Sequence, residues 1–189
     1  MKLRPTMVLV LFLLASVPAL AQRARRPAAE ADTGPVTVTR SATLRITIAS
    51  DAVGIFEYLS NAAKLTVWFP DQAIIEPQLG GKYHFRWKDR EGVWSGVVTE
   101  FIRGNTLAYT WEPPGEAVDT NVRFKVSPQG AETVVELSHS GFTSSVAQEE
   151  AIKAWAFYLQ NLKSVIEEGT DLRAQTRRPA PRRTTRPRH

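Results

Sequence analysis

His139 is the residue best placed to do chemistry, because it follows Val135 and Leu137 at every second position. In a strand such residues share one face, and here that face is apolar. An imidazole on an apolar face that lines a cavity could hydrogen-bond a ligand or transfer a proton near neutral pH. The sequence also allows a structural histidine at the end of the last strand, and this alternative stays open. His84 shares its face with charged residues, so we expect it to be solvated.

Other catalytic and metal-binding patterns are missing from the sequence. The 189 residues include no cysteine and only three histidines, without the spacing that metal ligands require. Residues 92–96, Gly-Val-Trp-Ser-Gly, lack the Gly-x-Ser-x-Gly spacing of a nucleophile elbow. The pair Gly80-Gly81 predicts a bend that opens a strand rather than a phosphate-binding loop. We therefore expect no metal ion and no cofactor.

Aromatic side chains are frequent in the central part of the chain and could line a binding cavity. Most of them would fill the core, but indole and phenol groups can also stack on a flat apolar ligand and orient it by hydrogen bonds. Besides His139, the candidates for such a cavity are Trp68, Tyr83, Phe85, Trp87, Trp94, Tyr109, Trp111, Phe124, Trp155, Tyr158 and Leu159.

The elements that would position these residues begin with a strand, because Leu44, Ile46 and Ile48 alternate with polar residues. From residue 74 to residue 139 short alternating segments are separated by turn residues, such as Gly104-Asn105. This pattern predicts five or six consecutive antiparallel strands.

Helical spacing occurs on both sides of this predicted sheet. After Asp51, apolar residues at positions 53, 56, 59 and 63 predict one or two short helices. Ser145 can cap a long amphipathic helix that ends at Gly169. An antiparallel sheet with helices on one face defines an α+β domain, which is the fold class we expect.

The first 21 residues predict a secretory signal peptide. Lys2 and Arg4 precede an apolar run over residues 7–14, and Ala19 and Ala21 occupy the small-residue positions before Gln22. The pattern predicts export with cleavage after Ala21, and the apolar run is short for a membrane span. An uncleaved N-terminal anchor is the alternative. The expected location is periplasmic in a Gram-negative bacterium and extracellular otherwise.

The net charge of +5 is distributed unevenly along the chain. Residues 22–35 are typical of a linker, residues 36–171 carry 12 basic and 17 acidic side chains, and residues 172–189 carry seven arginines and no acid. Because the domain is acidic, we expect no specific nucleic-acid recognition. The Arg/Pro-rich tail is predicted to be disordered. It either solubilises the chain or tethers it to an anionic envelope surface through Arg177, Arg178, Arg182, Arg183, Arg186 and Arg188.

Several motifs, in this order along the chain, are typical of one family. They are residues 64–70 (KLTVWFP), 80–83 (GGKY), 96–101 (GVVTEF), 107–111 (LAYTW) and 137–142 (LSHSGF), followed by Trp155, Tyr158, Leu159 and Leu162. Over nearly all of residues 36–169 the chain resembles the activator of heat-shock protein 90 ATPase homologue family, within the START/Bet v 1-like (SRPBCC) superfamily. It departs from the family at Ala154, where a glycine is common before the tryptophan.

The resemblance implies a helix-grip fold, in which a curved antiparallel sheet surrounds the long C-terminal helix and leaves a cavity between them. Related domains use this cavity for lipids, sterols, polyketides or aromatic molecules. We therefore expect first an exported protein that binds a small apolar molecule. Two alternatives are a co-chaperone-like interaction module tethered by its basic tail, and a cyclase- or dehydratase-type enzyme with His139 or a tyrosine as proton donor. An exported protein would not meet a cytosolic chaperone, so we do not expect the namesake activity.

Overall fold

The computed structural model describes residues 39–115 and 120–176. The predicted signal peptide, the linker and residues 177–189 of the predicted tail lie outside these described residues. Along the chain the elements are β1 (Arg40–Ile48), α1 (Ala52–Ser60), α2 (Ala62–Leu65), β2 (Gln72–Ile75), β3 (Lys82–Arg86), β4 (Trp94–Ile102), β5 (Thr106–Trp111), β6 (Thr120–Gln129), β7 (Glu132–Phe142), α3 (Ser145–Glu168) and α4 (Arg173–Thr176).

The strands form one antiparallel sheet in the order β1-β7-β6-β5-β4-β3-β2. Strands β2 to β7 are a meander of six, at the upper end of the predicted five or six. Strand β1 pairs with β7, with Leu44 opposite Leu137, so the first strand lies beside the last one. Residues 133, 135, 137 and 139 of β7 are all buried, as their alternation predicted. The predicted α+β helix-grip fold is confirmed.

Helix α3 packs against β1 and β7 with a face that recurs every three or four residues. Trp155, Tyr158, Leu159 and Leu162 are buried on this face. The helix ends at Gly169, which has a φ of 67° and so adopts the left-handed conformation that glycine tolerates best. Its N-cap is Ser144 rather than the predicted Ser145, because the Ser144 side chain accepts a hydrogen bond from the amide of Ala147. Among the residues described, no helix is long and apolar enough to span a membrane.

The domain extends past residue 171, where the sequence predicted that it ends. Arg173 is buried and donates hydrogen bonds to the carbonyl oxygens of Thr66, Phe69 and Pro70 at 2.9–3.0 Å. Its guanidinium also contacts the Asp171 carboxylate at 2.8 Å. Residues 172–176 therefore belong to the folded domain, because the α2–β2 connection supplies acceptors for this one arginine.

Candidate binding cavity

A cavity of about 510 Å³ lies between one end of the sheet and the N-terminal half of α3. Its wall combines indole rings from the β3–β4 region and β5 with the ends of β6 and β7. Helix α3 contributes small residues and two aromatic ones. The lining residues are Phe69, Trp87, Arg90, Trp94, Trp111, Pro113, Thr120, His139, Phe142, Thr143, Ser144, Ala147, Glu150, Ala151, Ala154, Trp155 and Tyr158.

The twelve cavity candidates divide into two equal groups. Six of them line the cavity: Trp87, Trp94, Trp111, His139, Trp155 and Tyr158. The other six are buried in the core and do not line the cavity: Trp68, Tyr83, Phe85, Tyr109, Phe124 and Leu159. Alternation along a strand identifies the inner face of a sheet, but it does not show which part of that face the helix covers.

Two of these core residues use their polar groups to tie elements together. Trp68 donates its indole N–H to the carbonyl oxygen of Tyr58 at 2.8 Å. The Tyr83 hydroxyl donates to the carbonyl oxygen of Thr110 at 2.7 Å, and burial raises the pKa of this phenol well above its usual range. These polar groups are therefore already used within the fold.

Phe69 is the central ring of the cavity wall, although the sequence analysis did not select it as a candidate. Its centroid lies 4.8–6.1 Å from six other aromatic rings, including those of Trp111, Trp155 and Tyr158. The carbonyl oxygen of Phe69 accepts hydrogen bonds from both Trp87 and Arg173. The backbone that carries this ring is thus fixed from two sides.

A sequence signal for the cavity does exist on α3. Ala147, Ala151 and Ala154 recur at steps of four and three, so they form a stripe of small side chains beside Trp155 and Tyr158. A small stripe within a bulky apolar face marks a place where the helix cannot fill the space in front of the sheet.

His139 makes a hydrogen bond with each ring nitrogen. Nδ1 accepts the indole N–H of Trp155 at 3.0 Å, so the ring proton resides on Nε2, 2.7 Å from the hydroxyl oxygen of Thr120. The Thr120 hydroxyl can then donate to the carbonyl oxygen of Trp111 at 3.3 Å. Burial lowers the pKa of His139 to about 4, so the ring is neutral at pH 7. This arrangement favours the structural histidine over the proton-transfer group.

Tyr158 presents an uncharged phenol to the cavity. Burial raises its pKa, and the positive charges of Arg90 and Arg173 oppose this rise without reversing it. The hydroxyl therefore stays protonated at neutral pH and offers a polar contact without a charge.

Charged groups occur only at the rim of this lining. Arg90 is exposed, and its guanidinium carbon lies 5.8 Å from the ring centroid of Trp87 and 5.9 Å from that of Trp94. Glu150, on the first turns of α3, is also exposed. Residues 39–115 and 120–176 contain no group of three or more acidic or histidine side chains that could hold a metal ion.

Comparison with known proteins agrees with this architecture. The profile of the family described as "Activator of Hsp90 ATPase homolog 1-like protein" matches residues 51–167. The chain therefore belongs to this family, as the motifs predicted. No curated protein matches the sequence significantly.

Solved structures from several bacteria share the fold. The protein MLL2253 of Mesorhizobium loti superposes with a TM-score of 0.63 at 19% identity, over 69% of this chain and 99% of the other. Aha1 of Colwellia psychrerythraea, solved as a dimer, gives 0.62 at 21% identity, over 69% and 98%. CalU16 of Micromonospora echinospora gives 0.60 at 21%, over 69% and 78%. At such identities the likeness concerns the fold, which is that of a domain commonly used to bind ligands.

Proposed function

We propose that this member of the family is exported and that it binds a small, flat apolar molecule in the cavity between the sheet and α3. The observation that carries the proposal is a cavity of about 510 Å³ with four indole rings, from Trp87, Trp94, Trp111 and Trp155, in its wall. Small-molecule sites usually occupy about 300–1,000 Å³ and combine apolar walls with a few polar groups.

The aromatic wall supports a flat ligand rather than a flexible one. Rings that meet at varied angles offer both faces and edges to a planar guest. Burial of apolar ligand surface contributes about 25 cal/mol per Å² before the cost of association, so an aromatic body supplies most of the affinity.

The hydrogen bonds of His139 support binding rather than catalysis. A general acid needs a proton to give near neutral pH, whereas the His139 ring is neutral and shares its remaining proton with Thr120. Its lone pair is occupied by the indole N–H of Trp155. The ring therefore fixes the wall of the cavity instead of acting on its contents.

Export is the second part of the proposal and depends on residues 1–21. Cleavage after Ala21 would release a mature chain that begins at Gln22 and delivers the cavity to the cell envelope or the medium. A ligand met there comes from outside the cytoplasm or is itself exported.

Mass spectrometry of protein purified from its own host tests both parts. We expect the denatured mass of the chain from Gln22 and, under native conditions, a reproducible excess mass that is lost on denaturation. The variant Ala154→Phe, which adds an aromatic ring to the cavity lining, should lose this excess mass. Ala156→Phe, on the exposed side of the same helix, should keep it.

Three outcomes contradict the proposal or one of its parts. Retention of the excess mass by Ala154→Phe would place the ligand elsewhere. A bare chain mass in every preparation, with no thermal shift against a panel of aromatic compounds, would exclude the ligand-binding function. A mass that includes residues 1–21 would contradict cleavage and favour the uncleaved anchor.

A further inference from the structure

Arg90 brings a positive charge to a cavity whose lining is otherwise aromatic, small or polar, with Glu150 as its other charged residue. The residue follows β3 and lies beside the indole rings of Trp87 and Trp94, at 5.8 and 5.9 Å from their centroids. A guanidinium that stacks on indole faces keeps its in-plane N–H groups available, and these groups suit a carboxylate.

Within the described part of the chain, Arg90 forms no ion pair. The five described ion pairs involve Arg45, Lys64, Arg123, Lys163 and Arg173 instead. Among the described residues, Arg90 is thus a cation that contacts two indole rings and forms no ion pair with a carboxylate.

Both acidic and uncharged groups lie near Arg90. Burial raises the pKa of the Tyr158 phenol in the cavity, the charge of Arg90 opposes part of this rise, and Asp89 adds to it. Glu150 lines the same cavity from α3. An anionic ligand group would therefore be attracted by Arg90 and repelled by Glu150. Removal of either charge should change the affinity for an anion, in opposite directions.

We propose that the ligand is an aromatic carboxylate, whose flat body contacts Trp111 and Trp155 while Arg90 binds its carboxylate at the cavity mouth. This inference rests on the proposed ligand-binding function and specifies its ligand class. A charged end also gives the ligand a defined direction, because only one end of the cavity lining offers an unpaired cation among the described residues.

Two probes of the same shape test the charge directly. We would measure binding of naphthalene carboxylate and of the neutral naphthalene carboxamide by calorimetry and by quenching of tryptophan fluorescence. The carboxylate should bind the unmodified mature chain at least about tenfold more tightly, since a hydrogen bond to a charged group exceeds one to a neutral group.

Three variants then locate the effect. Arg90→Met should weaken carboxylate binding about tenfold and leave carboxamide binding within about twofold. Glu150→Gln should strengthen carboxylate binding a few-fold, because it removes the repelling charge. Arg86→Met removes the same charge from an exposed position on β3 that does not line the cavity, and should change neither.

The possible results separate this inference from the proposed function. Equal binding of the two probes, or equal weakening of both by Arg90→Met, would overturn the role of Arg90 and leave the apolar cavity proposal intact. Failure of both probes to bind would overturn the cavity proposal and the inference together. Tighter binding of octanoate than of naphthalene carboxylate would confirm the anion site but contradict the flat aromatic body.

Discussion

At the cavity wall, His139 joins strand β6 to helix α3 through its two ring nitrogens. Nε2 donates to Thr120 at the start of β6, and Nδ1 accepts from Trp155 on α3. Both bonds require the neutral ring with its proton on Nε2, since protonation of Nδ1 would set two N–H donors against each other. The folded state therefore prefers the neutral form.

This preference makes the stability of the protein depend on pH. The folded protein holds the pKa of His139 at about 4, whereas the unfolded chain takes up a proton near pH 6.5. The unfolded state then binds more protons as pH falls below about 6.5, so stability is lost towards pH 4. Between pH 7 and pH 5 the free energy of unfolding should fall by about 2 kcal/mol through this residue.

Urea unfolding at both pH values measures the loss, with His139→Gln as the control that lacks the titrating group. The carboxylates Glu100, Glu167 and Asp171 have pKa values lowered from their ordinary values, so their contribution to stability is lost mainly as pH falls below the ordinary carboxyl pKa of about 4, which lies under this window. The same loss in the variant and in the unmodified protein would contradict the assignment. If the variant does not fold, NMR titration of the His139 ring should show no protonation above about pH 5.

At the scale of elements, α4 is held to the α2–β2 connection by Arg173. One guanidinium bridges the carbonyl oxygens of Thr66, Phe69 and Pro70, and these residues also carry the central ring of the cavity wall. The Asp171 carboxylate balances its charge. The end of the described chain thus supports the loop that positions Phe69.

Loss of this guanidinium should destabilise the fold. Arg173→Met leaves buried carbonyl groups without their donor, and we expect a decrease of about 3 kcal/mol in the free energy of unfolding. Arg123→Met is the matched control, because its ion pair with Glu100 is solvent-exposed and should contribute less than about 1 kcal/mol. Chemical denaturation measures both variants. Equal effects would show that Arg173 acts no differently from a surface arginine.

The sequence predicts elements better than it predicts the contacts between them. The alternation in β7 and the helical spacing that ends at Gly169 are local patterns, and each agrees with the structure. From the sequence, Arg173 looks like one more arginine of an Arg/Pro-rich tail, because the carbonyl oxygens that it binds lie more than 100 residues earlier. Phe69 and Arg90 were missed for a related reason: a cavity is formed by separate elements, and no single segment encodes it.

At the scale of the whole chain, the domain and the C-terminal segment carry net charges of opposite sign. Residues 36–171 have five more acidic than basic side chains, whereas residues 177–189 carry six arginines and no acid. Arg173, the remaining arginine of the predicted tail, is buried in the fold and is not available to a partner. A tether to an anionic surface would therefore have to use the six arginines that follow Thr176.

We predict that the mature chain sediments with vesicles containing phosphatidylglycerol and not with vesicles of phosphatidylcholine alone. Each arginine near an anionic surface contributes about 1 kcal/mol at most, and raising the salt from about 0.05 M to about 0.5 M should release the protein by screening. A chain that ends at Thr176 lacks the six tail arginines, so it should lose vesicle binding. It keeps the cavity and the hydrogen bonds of Arg173, so it should retain the ligand.

A second variant with glutamine at all six tail arginines separates charge from chain length. If it still sediments with anionic vesicles, the tail does not act through its charge. If the unmodified chain fails to bind them, the tail serves solubility and the protein carries its ligand without attachment to this surface. Loss of binding in both variants, with naphthalene carboxylate binding unchanged, would show that the cavity and the tail act independently. The chain would then combine a ligand-binding domain that ends near Thr176 with a separate basic tail that binds anionic surfaces.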